Sequence, residues 1–306
     1  MSESIEIEPN PIPAEASSME KLQNFIHEKY SSLFCRSVDQ DVHNRVLELK
    51  NLQIRYFENE VNYYKELQQL KVKYADIQKS LFESRFRIIN GIGEGSADTK
   101  EEAGRSDEEI NYKKSKGNEN SGIPNFWLTV FRNSKLLSSV FNEEDEMVLK
   151  HLKDVAAKYV SDTRMDFVLE FHFEPNEYFS NSVLTKEYGV KCEVDPEELY
   201  NFGGPEIVRC EGCVIEWKDG KDITRSTVKK GNEAGEISET VRNDSFFNFF
   251  LPKREENVEV GGRSQVLESD YEIGKYIKEK IIPRAVLYYT GEMEESFDSE
   301  DESSSY

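Results

Sequence analysis

S-V-D-Q-D-V-H-N-R-V-L-E-L-K-N-L-Q-I-R-Y-F-E-N-E-V-N-Y-Y-K-E-L-Q-Q-L-K-V-K-Y-A-D-I-Q-K-S-L-F-E-S-R-F (37–86) contains neither proline nor glycine. Across it, and from Cys35 just before it, apolar side chains recur every seven residues: Val42, Leu49, Tyr56, Tyr63, Leu70 and Ile77. Such a run predicts one long helix with an apolar seam. The companion positions drift, lying three residues on at Val38 and Leu52 but four on at Val46, Leu67, Tyr74 and Leu81, so the stripe is wider than a strict two-stranded zipper. A helix of about fifty residues extends about 75 Å, more than a small domain covers. Pairing of two copies along the seam, parallel or antiparallel, is therefore preferred to a helix lying along its own domain. L-E-L-K-N-L-Q-I (47–54) also has the apolar spacing of a nuclear export signal, but core packing is the preferred reading, since a dimer would bury those residues.

Outward from the helix, residues 1–20 carry Pro9, Pro11 and Pro13 among acidic and small residues and are read as a disordered acidic N-terminus. Residues 21–90 form the helical dimerisation region, with Leu22, Phe25, Ile26 and Tyr30 on an additional flanking helix. Residues 91–122 scatter six glycines among mixed charges and read as a flexible charged insertion. G-I-G-E-G within it resembles a phosphate-cradling loop only superficially, because no clear strand precedes it and no apolar helix follows. Residues 292–306 contain no lysine or arginine and read as a disordered acidic tail.

The segment 123–291 is expected to be the compact domain. L-T-V-F-R-N-S-K-L-L-S-S-V-F-N-E-E-D-E-M-V-L-K-H-L-K-D-V (128–155) reads as helix, break and helix, the second helix beginning at Asn142 as N-cap. Phe167, Leu169, Phe171 and Phe173 alternate with Val168, Glu170, His172 and Glu174, which predicts a half-buried strand with an acidic outer face. Further strands are expected at 187–193, 211–218 and 221–228, the last two joined in a hairpin at Asp219-Gly220. A second turn is expected at 229–235, with the chain returning as I-S-E-T-V (237–241). Tyr271, Ile273, Tyr276, Ile277 and Ile281 describe a helix face that Pro283 stops, with a further apolar segment from Ala285 to Tyr289. The fold class is α+β: a long dimerisation helix and a domain whose antiparallel sheet is flanked by helices.

The chain of 306 residues carries 60 acidic and 39 basic side chains, net charge −21. Its natural partner is basic, and direct sequence-specific DNA binding is disfavoured because the field has the wrong sign. A polyanion competes with DNA for the same cations. Four cysteines, Cys35, Cys192, Cys210 and Cys213, are too few for a disulfide framework, and M-S-E-S-I-E-I-E-P lacks the features of a signal peptide. No apolar run reaches membrane-spanning length, so a reducing, cytosolic or nuclear setting is expected. No cofactor is expected. C-E-G-C (210–213) is half of a zinc site without its other half. Glu170, His172 and Glu174 share a strand face and could hold a metal, but such groups on an open sheet are ordinarily solvated. His27, His43 and His151 stand near no nucleophile motif, so catalysis is not expected. Ordered carboxylates beside aromatic rings are better candidates, because they accept bidentate bonds from arginine while the rings stack on guanidinium. Glu174, Glu177, Tyr178 and Phe179 fit that description, as do Asp195, Glu197, Glu198 and Tyr200.

Four stretches, N-F-W-L-T-V-F (125–131), F-V-L-E-F-H-F-E-P-N-E-Y-F (167–179), N-D-S-F-F-N-F-F-L-P (243–252) and D-Y-E-I-G-K-Y-I-K-E-K-I-I-P-R-A-V-L-Y-Y-T-G-E (270–292), occur in a fixed order. Together they resemble the nucleosome assembly protein 1 family of histone chaperones across roughly the whole chain. The resemblance implies a homodimer joined by the long helix. It also implies an acidic face that holds core histones, chiefly the peripheral nucleosomal dimer and also the pair forming the central tetramer. Glu170 and the two clusters already named would contribute to that face, with a further cluster of Glu255, Glu256, Glu259, Glu268, Asp270 and Glu272. Glu292, Glu294, Glu295, Asp298, Glu300, Asp301 and Glu302 would act as a mobile polyanion, with Ser299 in an acidic-directed kinase context. Nucleus and cytoplasm are both implied, although the hairpin that carries an import signal in many members offers here only Arg225, Lys229 and Lys230. An adaptor or phosphatase-regulating role toward non-histone basic proteins is the alternative.

Overall fold

The structure is a computed structural model that describes residues 39–92, 122–161, 164–196, 198–232, 235–251 and 265–293. The expected N-terminal segment, its short helix and the insertion at 93–121 lie outside the described residues. Two compact units emerge, one containing residues up to 64 with 192–204, the other 65–191 with the remainder of the chain.

Helix α1 spans Gln40–Asn90, 51 residues, as the absence of helix breakers predicts. It carries two stripes, each with a seven-residue period. Ile54, Val61, Gln68 and Ile89 are buried. Val42, Leu49, Tyr56, Tyr63, Leu70 and Ile77, five residues or about 140° away around the helix, remain 44–63% exposed. In the first unit Ile54 packs with Leu199, flanked by Leu47, Val194 and Tyr200, and Phe57 meets Phe202 at 5.8 Å. Gly204, at φ +98°, lies where a Cβ would stand 3.3 Å from the Tyr64 hydroxyl, so glycine is required there. Of L-E-L-K-N-L-Q-I, Leu47 and Ile54 face this packing while Leu49 and Leu52 are exposed.

The second unit holds an antiparallel sheet in the order β1-β2-β3-β4: Leu152–Tyr159, Phe167–Phe173, Val183–Lys191 and Glu206–Gly212. β2 alternates as its sequence predicts, with Phe167, Leu169, Phe171 and Phe173 buried and the intervening residues half-buried. Its buried row continues through register partners Tyr188, Lys186 and Leu184 on β3. Helices α2 (Phe126–Asn133), α3 (Lys135–Ser138) and α4 (Glu143–Leu149) precede the sheet. Trp127 of α2 is fully buried and donates its indole N–H to the Lys153 carbonyl of β1 at 3.2 Å.

Asn142 forms the expected N-cap, with a full capping box to Asp145. The buried Asp145 also accepts from the Phe246 N–H at 2.9 Å and from the Ser245 hydroxyl. N-D-S-F-F-N-F-F is thereby read: Ser245 caps a tight turn, Phe246–Phe250, whose rings fill the space beside Phe171 and Phe173.

α5 (Gln265–Tyr276), a π-helical turn (Ile277–Ile281) and α6 (Ala285–Thr290) close the unit. Asp270 and Gly274 lie one turn apart on α5. Asp270 is buried and pairs with the fully buried Lys186 at 3.1 Å, while accepting from the Tyr188 hydroxyl at 2.9 Å and the Cys210 thiol at 3.0 Å. A Cβ on Gly274 would stand 2.4 Å from the Tyr188 ring. Asp270 and Gly274 of D-Y-E-I-G thus form the docking face of a helix on a sheet, with Glu272 turned to solvent. Burial first, then the Asp270 charge, pushes the Tyr188 hydroxyl well above its ordinary range, and burial with the Asp270 bond pushes the Cys210 thiol up to about 12.

Three expectations are corrected. The second helix ends at Leu149, and L-K-D-V-A-A-K-Y is strand β1, because pairing along Phe167–Phe173 outweighs a local composition that favours helix. Asp219-Gly220 makes a turn with Gly220 at φ 70° but joins no hairpin. The strand expected at 211–218 lies earlier, at Glu206–Gly212, whereas the second expected turn does close a hairpin, β5–β6, Arg225–Asn232 and Gly235–Arg242.

Candidate interface for basic partners

E-P-N-E-Y-F (174–179) leaves the end of β2 and folds back at once. Asn176 sets the turn: its side-chain oxygen accepts the N–H groups of Tyr178 and Phe179 at 2.9 and 3.0 Å, and its amide donates to the Glu174 carbonyl at 3.1 Å. Phe179 is 2% exposed and packs against Phe173, Trp217 and Phe247. With this anchor in the core, Glu177 projects exposed and Tyr178 half-buried. A second turn braces the first, since the Lys218 N–H donates to the Tyr178 carbonyl at 2.8 Å and the Lys218 ammonium to the Asn176 carbonyl at 2.6 Å.

The carboxylates here already hold basic side chains. Glu174 meets Lys153 at 2.7 Å and His151 at 3.0 Å. Partial burial raises its pKa, but the Lys153 and His151 bonds outweigh burial, and the net shift is downward. Glu177 accepts from Lys221 at 2.6 Å, which holds it below the usual carboxylate range. Lys221 also lies 5.3 Å over the Tyr178 ring. Glu170, on the outer sheet face, contacts Lys158 at 2.7 Å and His172 at 3.1 Å. Glu170, His172 and Glu174 are not joined as a ligand set, and no cluster suited to a metal occurs among the described residues.

The other expected residues separate. Asp195 and Glu198 are exposed on the segment packed against α1 in the first unit, where Glu198 accepts from Asn201 at 2.8 Å; Glu197 lies outside the described residues. The Glu174–Tyr178 and Asp195–Glu198 groups belong to different units. On α5, Glu272 is exposed and Glu268 half-buried. Asp270 is not a surface ligand: its carboxylate is consumed inside the fold by Lys186, Tyr188 and Cys210. Glu255, Glu256 and Glu259 lie outside the described residues. So do the tail acids Glu294, Glu295, Asp298, Glu300, Asp301 and Glu302, leaving Glu292, which is exposed. The import-like hairpin presents Arg225, 3.7 Å from Asp222.

Sequence reading missed Lys153, His151 and Lys221, which occupy the candidate carboxylates from other elements. No local spacing announces such partners. The i, i+4 pairing of Asp270 with a glycine was the available signal that this side of α5 is buried.

The family model described as nucleosome assembly protein (NAP) matches residues 44–292. The chain belongs to this family. As a nucleosome assembly protein family member it is not an enzyme. It is 43% identical over 288 residues to nucleosome assembly protein 1-like 1 of Bos taurus and of Homo sapiens, covering 87% of this chain and 74% of each relative. The structure of Nucleosome Assembly Protein 1 from Plasmodium knowlesi aligns over 84% of this chain and 100% of that one, with TM-score 0.54 and 30% identity. Long helix, antiparallel four-stranded sheet and flanking helices constitute the α+β architecture that this family member shares with it. Among the described residues, no helix is long and apolar enough to cross a membrane.

Proposed function

We propose that the chain is an ATP-independent histone chaperone, two copies of which join along α1. The observation that carries this reading is the Glu174–Glu177–Tyr178 turn, where ordered carboxylates and a ring sit at the spacing that accommodates basic side chains, as the chain's own lysines do. The bound cargo would be core histones, the peripheral nucleosomal dimer foremost and the central-tetramer pair as well. Chaperone and DNA contacts compete for the same arginines and lysines. Nonspecific histone–DNA aggregates are then suppressed, and histones pass to DNA where nucleosomal contacts win, with no hydrolysis. Glu170, Glu268 and Glu272 would add carboxylates on the unit that carries the turn, Asp195, Glu197 and Glu198 would offer a separate acidic group, and the acids after Gly291 would accelerate encounter. The chain acts in both nucleus and cytoplasm.

On α1, Val42, Leu49, Tyr56, Tyr63, Leu70 and Ile77 form the seam to the second copy. A contiguous apolar stripe left open on one chain is the surface such a helix buries against its equivalent.

The test is calorimetric titration with the folded peripheral histone dimer at physiological and doubled salt, with lysozyme as basic control and a variant truncated after Gly291. The expected result is histone-selective binding that survives both truncation and physiological ionic strength. Binding lost with the tail, or shared equally with lysozyme, refutes recognition by the folded domain and favours an adaptor for generic basic partners.

A further inference from the structure

Lys221 does two things at once. Its ammonium donates to Glu177 at 2.6 Å and lies 5.3 Å over the Tyr178 ring. Both walls of this cradle are held by hydrogen bonds to the backbone. On one side the Asn176 side chain fixes 176–179. On the other, the Lys221 N–H donates to the Lys218 carbonyl at 3.0 Å, and residue pair Phe179 and Trp217 bridges the two turns. Carboxylate and ring face are therefore preset at a spacing that one cation satisfies.

We propose that Glu177 and Tyr178 form an arginine-selective subsite that the chain's own Lys221 occupies, so that Lys221 competes with an incoming guanidinium. This rests on the reading above that the turn meets a basic partner.

An ammonium offers Glu177 one compact point charge, and a partner lysine arriving there gains nothing over Lys221. A guanidinium offers a fork that engages both carboxylate oxygens and a plane that lies flat on Tyr178. Arginine alone therefore displaces the resident cation with a net gain of contacts. The displacement is feasible because Glu177 and Lys221 side chains are 64% and 40% exposed, and exposed pairs of this kind are weak and readily exchanged. Glu174 differs, since it is held by both Lys153 and His151 and its release requires breaking two bonds.

The experiment titrates the full chain with an arginine-rich peptide and its lysine counterpart, and with the folded peripheral histone dimer, at physiological salt. Wild type is compared with Lys221→Gln, with Lys280→Gln as a charge-matched control outside the cluster, and with Glu177→Gln. The arginine peptide is expected to bind wild type more tightly than the lysine peptide. Lys221→Gln should tighten both peptides and the histone dimer by about two- to fivefold relative to Lys280→Gln, narrowing the arginine preference, while Glu177→Gln weakens binding. If Lys221→Gln binds no more tightly than Lys280→Gln while Glu177→Gln still weakens binding, competition by Lys221 is overturned and the interface stands. If Glu177→Gln is also without effect, the turn is not the interface, and the functional reading of this cluster fails with the inference.

Discussion

Replacing Asp270 with asparagine tests whether the most deeply placed acidic residue of α5 belongs to the fold or to a ligand. Lys186 and Asp270 side chains are 0% and 4% exposed and 3.1 Å apart. At that separation and an effective dielectric near 20, their attraction is about 5 kcal/mol. Much of it offsets desolvation, so the pair as a whole contributes little. Removing one charge is different, because the other is left buried and uncompensated, at a cost of about 3–5 kcal/mol. Tyr188 and Cys210 also lose an anionic acceptor. Total stability of a domain is about 5–15 kcal/mol, so Asp270→Asn and Lys186→Met should each shift the urea midpoint strongly. Replacing both with apolar residues, Lys186→Met with Asp270→Leu, removes both desolvation penalties and should recover most of the loss. The assay is equilibrium unfolding of the full chain followed by aromatic circular dichroism, read as a double-mutant cycle. An Asp270→Asn unfolding free energy within about 1 kcal/mol of wild type, or a double variant no better than either single one, would refute the anchoring role.

Gly274→Ala gives a sign test at the same contact: helix propensity alone favours alanine by about 1 kcal/mol, yet a Cβ 2.4 Å from the Tyr188 ring should make the variant less stable by about 1–3 kcal/mol in thermal unfolding. Lys278, whose side chain is 11% exposed and whose ammonium lies 3.9 Å over the Phe167 ring, has its pKa lowered to about 8, chiefly by desolvation. The unfolded chain, with lysine at its ordinary value near 10.4, then holds more protons between those values. The Lys278 contribution to stability therefore rises with pH from about 8 to about 10.4, by up to about 3 kcal/mol. The difference in urea midpoint between wild type and Lys278→Met should move in favour of wild type between pH 7.5 and 9.5, and a constant difference would contradict the lowered value. Tyr63→Glu with Leu70→Glu places charge on the exposed stripe of α1 and should convert a dimer to a monomer by light scattering, with the sheet's circular dichroism retained; an unchanged mass would place the dimer seam elsewhere.

The clearest sequence signals were those generated by short-range periodicity. Freedom from proline and glycine set α1, and strict alternation set β2, face by face. Asn142 was legible because a cap and its box are local chemistry. Where the reading failed, the deciding partner lay far along the chain. L-K-D-V-A-A-K-Y has no strand signal of its own and became β1 because β2 offered it a ladder. Asp219-Gly220 made its turn without flanking strands, since a turn dipeptide specifies a bend and not what it connects.

The candidate site divides in the same way. Sequence alone established a strongly acidic chain with carboxylates beside aromatics, and motifs in an order that resembles one family, because charge and composition need no partner to be counted. It could not separate Glu177, exposed and paired with a lysine 44 residues away, from Asp270, buried and paired with one 84 residues away. Both are acids in amphipathic surroundings. Only the tertiary structure decided which carboxylate meets solvent and which holds a helix on a sheet, because burial and ion pairing arise from residues distant in sequence and adjacent only after folding.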